Sequence, residues 1–135
     1  MAQEIKTTNL PQTEHSSYKA KARQFFNVMK MCLADKEWDA VLLNGVHAAI
    51  SINDALCIFL SGKRSISKMH QDAVKLLMQV SRHSEESKKN AHRLADILNL
   101  KHHVEYEPRR FAEKEARDFS NKVERFFSWV EKQIP

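Results

Sequence analysis

Glycine and proline are scarce in this chain. Its 135 residues include two glycines, Gly45 and Gly62, and three prolines, of which only Pro108 lies far from an end. A sheet-rich chain needs turn residues at every hairpin, so this composition argues against one and favours long helices. The same scarcity excludes a glycine-rich phosphate loop. There are two cysteines, Cys32 and Cys57, both in apolar surroundings and with no Cys-x-x-Cys spacing. That pattern gives neither a disulfide framework nor a zinc ribbon. It reads as two buried free thiols of a cytoplasmic protein. His-Glu-x-x-His is absent, and the adjacent His102 and His103 would point about 100° apart on a helix. No metal site and no cofactor are expected. Nothing reads as a signal peptide or a long uncharged apolar run, so no membrane association is expected.

What the chain does carry is helical periodicity and a mild basic excess. Lysine and arginine total 22 against 17 acids, a formal net charge of +5. That balance suits an anionic partner such as RNA or a nucleotide. Residues 1–15 are polar and contain Pro11, and read as a flexible tail. Residues 16–135 read as one helical domain.

Five helices are predicted, at about 16–34, 37–60, 67–81, 84–100 and 112–133. The second is apolar nearly all round, which marks a central, buried helix. Gly62 is placed to cap its C-terminus. The last shows an unbroken helical period through Ala116, Phe119, Val123, Phe126 and Val130. The polar connector "LKHHVEYEPRR" reads as an ordered bend, because Pro108 keeps Glu107 out of helical geometry. Short links favour antiparallel neighbours, so the expected fold is an all-α up-and-down bundle.

Three places carry candidate chemistry. Asp54 sits in the most apolar helix, where a carboxylate needs a partner. It follows His47 by two turns and so shares its face. A core polar network, a dimer contact and a site residue are all open for it. Arg64 and His70 flank the turn "RSISKMH". Loose Arg…His spacing carries little by itself, since about one such pairing is expected by chance in so basic a chain. The start of the third helix is more informative. There the helix dipole, with Arg64 and Lys68 nearby, disfavours an imidazolium and leaves His70 able to accept a proton at neutral pH. Arg64 is free to fork onto a phosphate. Lys63, Lys68, Lys101 and His102, with Arg109 and Arg110 behind them, could track an anionic backbone, and Tyr106 could stack on a base. The alternative is a solvated turn and a solvated loop.

The runs "YKAKARQFF", "GVHAAISINDALCIFLSGKRSISKMHQDAVKLL", "LKHHVEYEPRRFAEKEA" and "VERFFSWVEKQI" together resemble HEPN-domain proteins. The likeness is to a bacterial and archaeal branch with a Gly-x-Arg-Ser turn, a downstream histidine and a Glu-Tyr-Glu before the last helix. It covers about residues 16–134. The resemblance implies an α-helical bundle, often a homodimer. It also implies metal-independent endoribonuclease activity in toxin–antitoxin or other defence settings. The family's Arg, four to six residues, His signature falls on Arg64 and His70. The polar residue after the arginine falls on Ser65, and the acidic residue of the preceding helix on Asp54. The signature of better-known RNase members lies nearer the C-terminal end of the bundle. A second implied role is therefore a non-catalytic module that binds a nucleotide or a partner protein, such as a nucleotidyltransferase or an antitoxin. The Arg, four residues, His, one residue, Tyr pattern of members regulated on tyrosine is not matched at Tyr106.

Overall fold

In a computed structural model, residues 4–135 are described. All five predicted helices are present, and with them come one extra helix and a small antiparallel sheet. The order is β1 (Thr7–Asn9), a 3-10 turn (Gln12–Glu14), α1 (His15–Ala34), α2 (Trp38–Ser61), β2 (Lys63–Ser65), α3 (Gln71–Val80), α4 (Glu85–Asn99), α5 (Lys101–Tyr106) and α6 (Glu113–Gln133).

α2 is the axis of the bundle. Its buried residues run from Val41 to Ile58 with few breaks. By length and composition it could cross a membrane, but its neighbours cover it, and 78% of its most apolar stretch is buried. The sequence holds no room for a wide loop between α1 and α2, so the two pack antiparallel across a three-residue link. That link is closed by Asp35 N–H to the Met31 carbonyl (3.0 Å) and Glu37 N–H to the Cys32 carbonyl (2.9 Å). The closure sets Lys36 at φ 61°, a left-handed conformation more often given to glycine.

α6 lies across α2 where Gly45 removes a side chain. A Cβ at Gly45 would stand 2.4 Å from Phe119 Cε1 and 3.0 Å from Met29 Sδ, so α1, α2 and α6 meet there. Gly62 ends α2 as expected, at φ 70° and with its N–H bonded to the Ile58 carbonyl (2.8 Å). Cys57 is buried, but Cys32 is only half-buried, contrary to the expectation for that thiol.

Three local expectations change. Residues 7–9, read as part of a loose tail, form a strand paired with β2 in the register Thr7↔Ser65, Thr8↔Arg64, Asn9↔Lys63. The third helix begins at Gln71 rather than Ser67. Ser67 organises the turn ahead of it: its Oγ donates to Asp72 Oδ2 (2.6 Å) and accepts from Met69 N–H (3.0 Å). The connector is helical over Lys101–Tyr106, and the bend falls at 107–112. Asp39 ties that bend to the start of α2. It accepts from Phe111 N–H (2.8 Å) and from Arg110 Nε (2.7 Å).

Candidate functional site at the turn before α3

Asp54 reaches the site from the middle of α2. It is 6% exposed, so its carboxylate is nearly stripped of water. Arg64 reaches it from β2, with Nε 3.3 Å from Asp54 Oδ2. The Arg64 guanidinium also stands over the Tyr18 ring of α1, 5.5 Å from its centroid. One side of the guanidinium is thus tied by the carboxylate and one face is covered by the phenol ring. Its two terminal nitrogens have no hydrogen-bond partner among the described residues. The β1–β2 ladder fixes the backbone beneath Arg64, with Leu10 N–H to the Gly62 carbonyl (2.7 Å) and Ile66 N–H to the Lys6 carbonyl (2.9 Å) at its ends.

These residues open onto a cavity of about 280 Å³. It is lined by Asp54, Arg64, Ser65 and His70, with Ile50, Ile66, Met69, Ala73 and Leu98 among its apolar walls. The four residues that the sequence singled out for catalysis therefore share one space. Ser65 Oγ accepts from Ser67 N–H (3.3 Å), which holds the turn. Ile66 and Met69 leave 51% and 69% of their surface exposed at this turn.

Two titrations are displaced here. Burial pushes the Asp54 carboxyl up to about 6, and the Arg64 and Lys21 cations only partly offset that rise. His70 is exposed, and its imidazole is held below its ordinary value by partial desolvation on its cavity side and then by the Lys101 ammonium, with Glu105 opposing. The expected direction for His70 is found, but the cation that bears on it is Lys101 from α5, not Arg64 or Lys68. A neutral imidazole on the same cavity as an arginine is suited to taking a proton near a phosphate.

The predicted binding residues scatter. Lys63 lines a separate groove with Thr7 and Gln79. Lys68 is exposed near the cavity but does not line it. The Lys101 side chain is 14% exposed and committed to Glu105 (2.8 Å), so it shapes the charge around His70 rather than tracking a backbone. Arg109 and Arg110 are likewise taken up, by Glu115 and Asp39. His102 stacks against Tyr106 at 5.4 Å, and Tyr106 is 71% exposed. His47, expected to share the Asp54 face, lies 3.8 Å from Glu105 and packs on Phe25. Among the described residues, no three His, Cys, Asp or Glu side chains cluster to hold a metal ion.

In the sequence Tyr18 reads only as part of the apolar stripe of the first helix, and Glu105 only as part of the Glu-Tyr-Glu run before the last helix, neither as a site residue. Tyr18 looks like any aromatic on a core stripe, and only β2 brings Arg64 to it. Glu105 needed α5, which Pro108 had concealed by suggesting a bend throughout.

No curated protein sequence matches the chain. The family model for the HEPN domain matches residues 15–133, the span of α1 through α6 and of every residue around the cavity. The chain belongs to the HEPN-domain family.

Proposed function

We propose that this protein is a metal-independent endoribonuclease acting on single-stranded RNA. Its setting would be cytoplasmic defence or toxin–antitoxin function, and its working form a homodimer. The observation that carries the reading is the shared cavity. Asp54 and Tyr18 hold Arg64 through Nε and one face, its terminal nitrogens are without a partner among the described residues, and His70 lines the same space. In this scheme His70 takes the 2′-OH proton and the 2′-oxygen attacks phosphorus. The P–O5′ bond then breaks and the 5′-oxygen takes the proton back from the His70 imidazolium, giving a 2′,3′-cyclic phosphate and a 5′-OH end. Arg64 forks onto the non-bridging oxygens as negative charge builds. Asp54 positions Arg64, and Ser65 holds the turn. The exposed Ile66 and Met69 give a second protomer an apolar contact beside the cleft.

The test is cleavage of a labelled single-stranded RNA in EDTA. Arg64→Ala and His70→Ala should each lose at least 100-fold in rate, in the range that positioned acid–base and electrostatic groups contribute. Absence of activity, or mutants equal to wild type, would sink the mechanism. The exposed apolar pair at this turn also favours a second reading. In it the cleft is a non-catalytic seat for a partner protein such as a nucleotidyltransferase or an antitoxin. Co-purification that depends on Ile66 and Met69, with no cleavage, would select it.

A further inference from the structure

Five of the eight arginines are ion-paired to a carboxylate. The other three, Arg82, Arg93 and Arg125, have no such partner among the described residues, and all three line the seam between α4 and α6. The seam is a row of three depressions of about 430, 310 and 270 Å³. Trp129 and Lys132 are shared by the first two, and Arg93 and Arg125 by the last two, so the row is continuous.

The sequence sets this up. On α6, Asp118, Asn121, Lys122, Arg125, Trp129 and Lys132 recur every three or four residues, one stripe about 21 Å long at 1.5 Å per residue. Trp129 is half-buried, with its ring 6.1 Å from Phe126, so it is a fixed platform. Arg93 is steered by a neutral group, donating to Asn90 Oδ1 at 3.0 Å, which leaves its charge uncompensated. Of the carboxylates along the row, Glu124 is drawn to Lys30 and Asp118 to Lys114, leaving Glu86. A row of uncommitted arginines around one fixed indole matches a phosphate backbone with an unpaired base on the ring.

We propose that the α4–α6 seam is a binding surface for single-stranded nucleic acid, with Arg82, Arg93, Arg125 and Lys132 on phosphates and Trp129 under a base. It is distinct from the Arg64 cavity. Leu56 and Leu60 reach the seam from α2, and on a helix they point about 160° and 120° away from Asp54. The inference rests on a nucleic-acid partner but not on cleavage.

The probe is a fluorescein-labelled 12-nucleotide 2′-O-methyl oligouridylate, which cannot be cut through its 2′-oxygen, followed by anisotropy from 50 to 200 mM salt. The triple variant Arg82→Gln, Arg93→Gln, Arg125→Gln should bind at least tenfold more weakly. Its slope of log affinity against log salt should shrink by about 2, near 0.7 per lost phosphate contact. The corresponding triple Lys variant should keep most of that slope, which separates lost charge from lost fold. Binding should quench indole fluorescence in the wild type and not in Trp129→Phe. The proposal is overturned if the triple Gln variant binds like wild type, or if wild type shows no binding at 50 mM salt. Polyglutamate binding as tightly as the oligomer would mark an acidic-protein surface and also overturn it. So would loss of binding in Arg64→Ala/His70→Ala alone, which would move the contact to the cleft.

Discussion

Replacing Asp54 with Asn should make the protein more stable at neutral pH while impairing whatever the cleft does. The Asp54 carboxyl sits at about 6 in the folded chain against an ordinary 3.8. A gap of about two pH units corresponds to roughly 3 kcal/mol between the two protonation states. The folded value lies above the unfolded one, so the native state holds this proton more tightly. The group's favourable contribution is complete below pH ~4 and is lost as pH rises to ~6 and beyond. Asn carries no charge to desolvate and can still accept from Arg64. The folded value is already net of the attraction to Arg64, so no separate loss of the ion pair is subtracted. The net expectation is that Asp54→Asn gains about 2–3 kcal/mol over wild type at pH 7.5 and only about 1 kcal/mol at pH 4.5. Urea denaturation of both proteins across that range measures the difference directly, and other titrating groups cancel in the comparison. A difference that is flat with pH, or that favours wild type as pH rises, would refute the reasoning.

Gly45→Ala should cost about 1–3 kcal/mol in urea denaturation, because its new methyl would stand 2.4 Å from Phe119 and force α6 off α2. Thr8→Pro should loosen Arg64 from a distance. Thr8 lies opposite Arg64, and the bonds at Leu10–Gly62 and Lys6–Ile66 put that pair in hydrogen-bonded register, so proline deletes a ladder bond. Hydrogen exchange at the Arg64 amide should speed up at least tenfold; unchanged protection would show that β1 does not hold β2 in place.

The helices were legible because apolar period and burial coincide. α2 reads as central from its residues alone, and Gly62 as its cap. Asp54 was legible as an anomaly, since a carboxylate in so apolar a helix requires a cation. The identity of that cation was not fixed by spacing. It depends on β2 turning Arg64 back over α2, which depends in turn on β1, a strand of three residues with no alternating pattern to announce it. Lys101 shows the opposite failure. As a basic residue in a polar connector it resembled a phosphate contact, but α5 folds it onto Glu105 and makes it part of the His70 environment. The three seam arginines carry no local signal at all. What sets them apart is that the other five found acids, and that is a property of the folded surface.

The cleft is assembled from two stretches of chain, one before the turn and one after it. Everything that holds Arg64 comes from residues before it: the β1 ladder, Tyr18 on α1 and Asp54 on α2. The charges that bear on His70, and the mooring of the residue next to it, come after it. Gln71 is moored to α4 through the Ala95 carbonyl (3.3 Å) and Asn99 (2.9 Å), and Lys101 and Glu105 arrive with α5. Loss of order confined to α4 and α5 would release the histidine and leave the arginine seated. In the proposed mechanism the roles of Arg64 and His70 would therefore be separable by region, and a partner clasping the later helices would act on the histidine and not on the arginine.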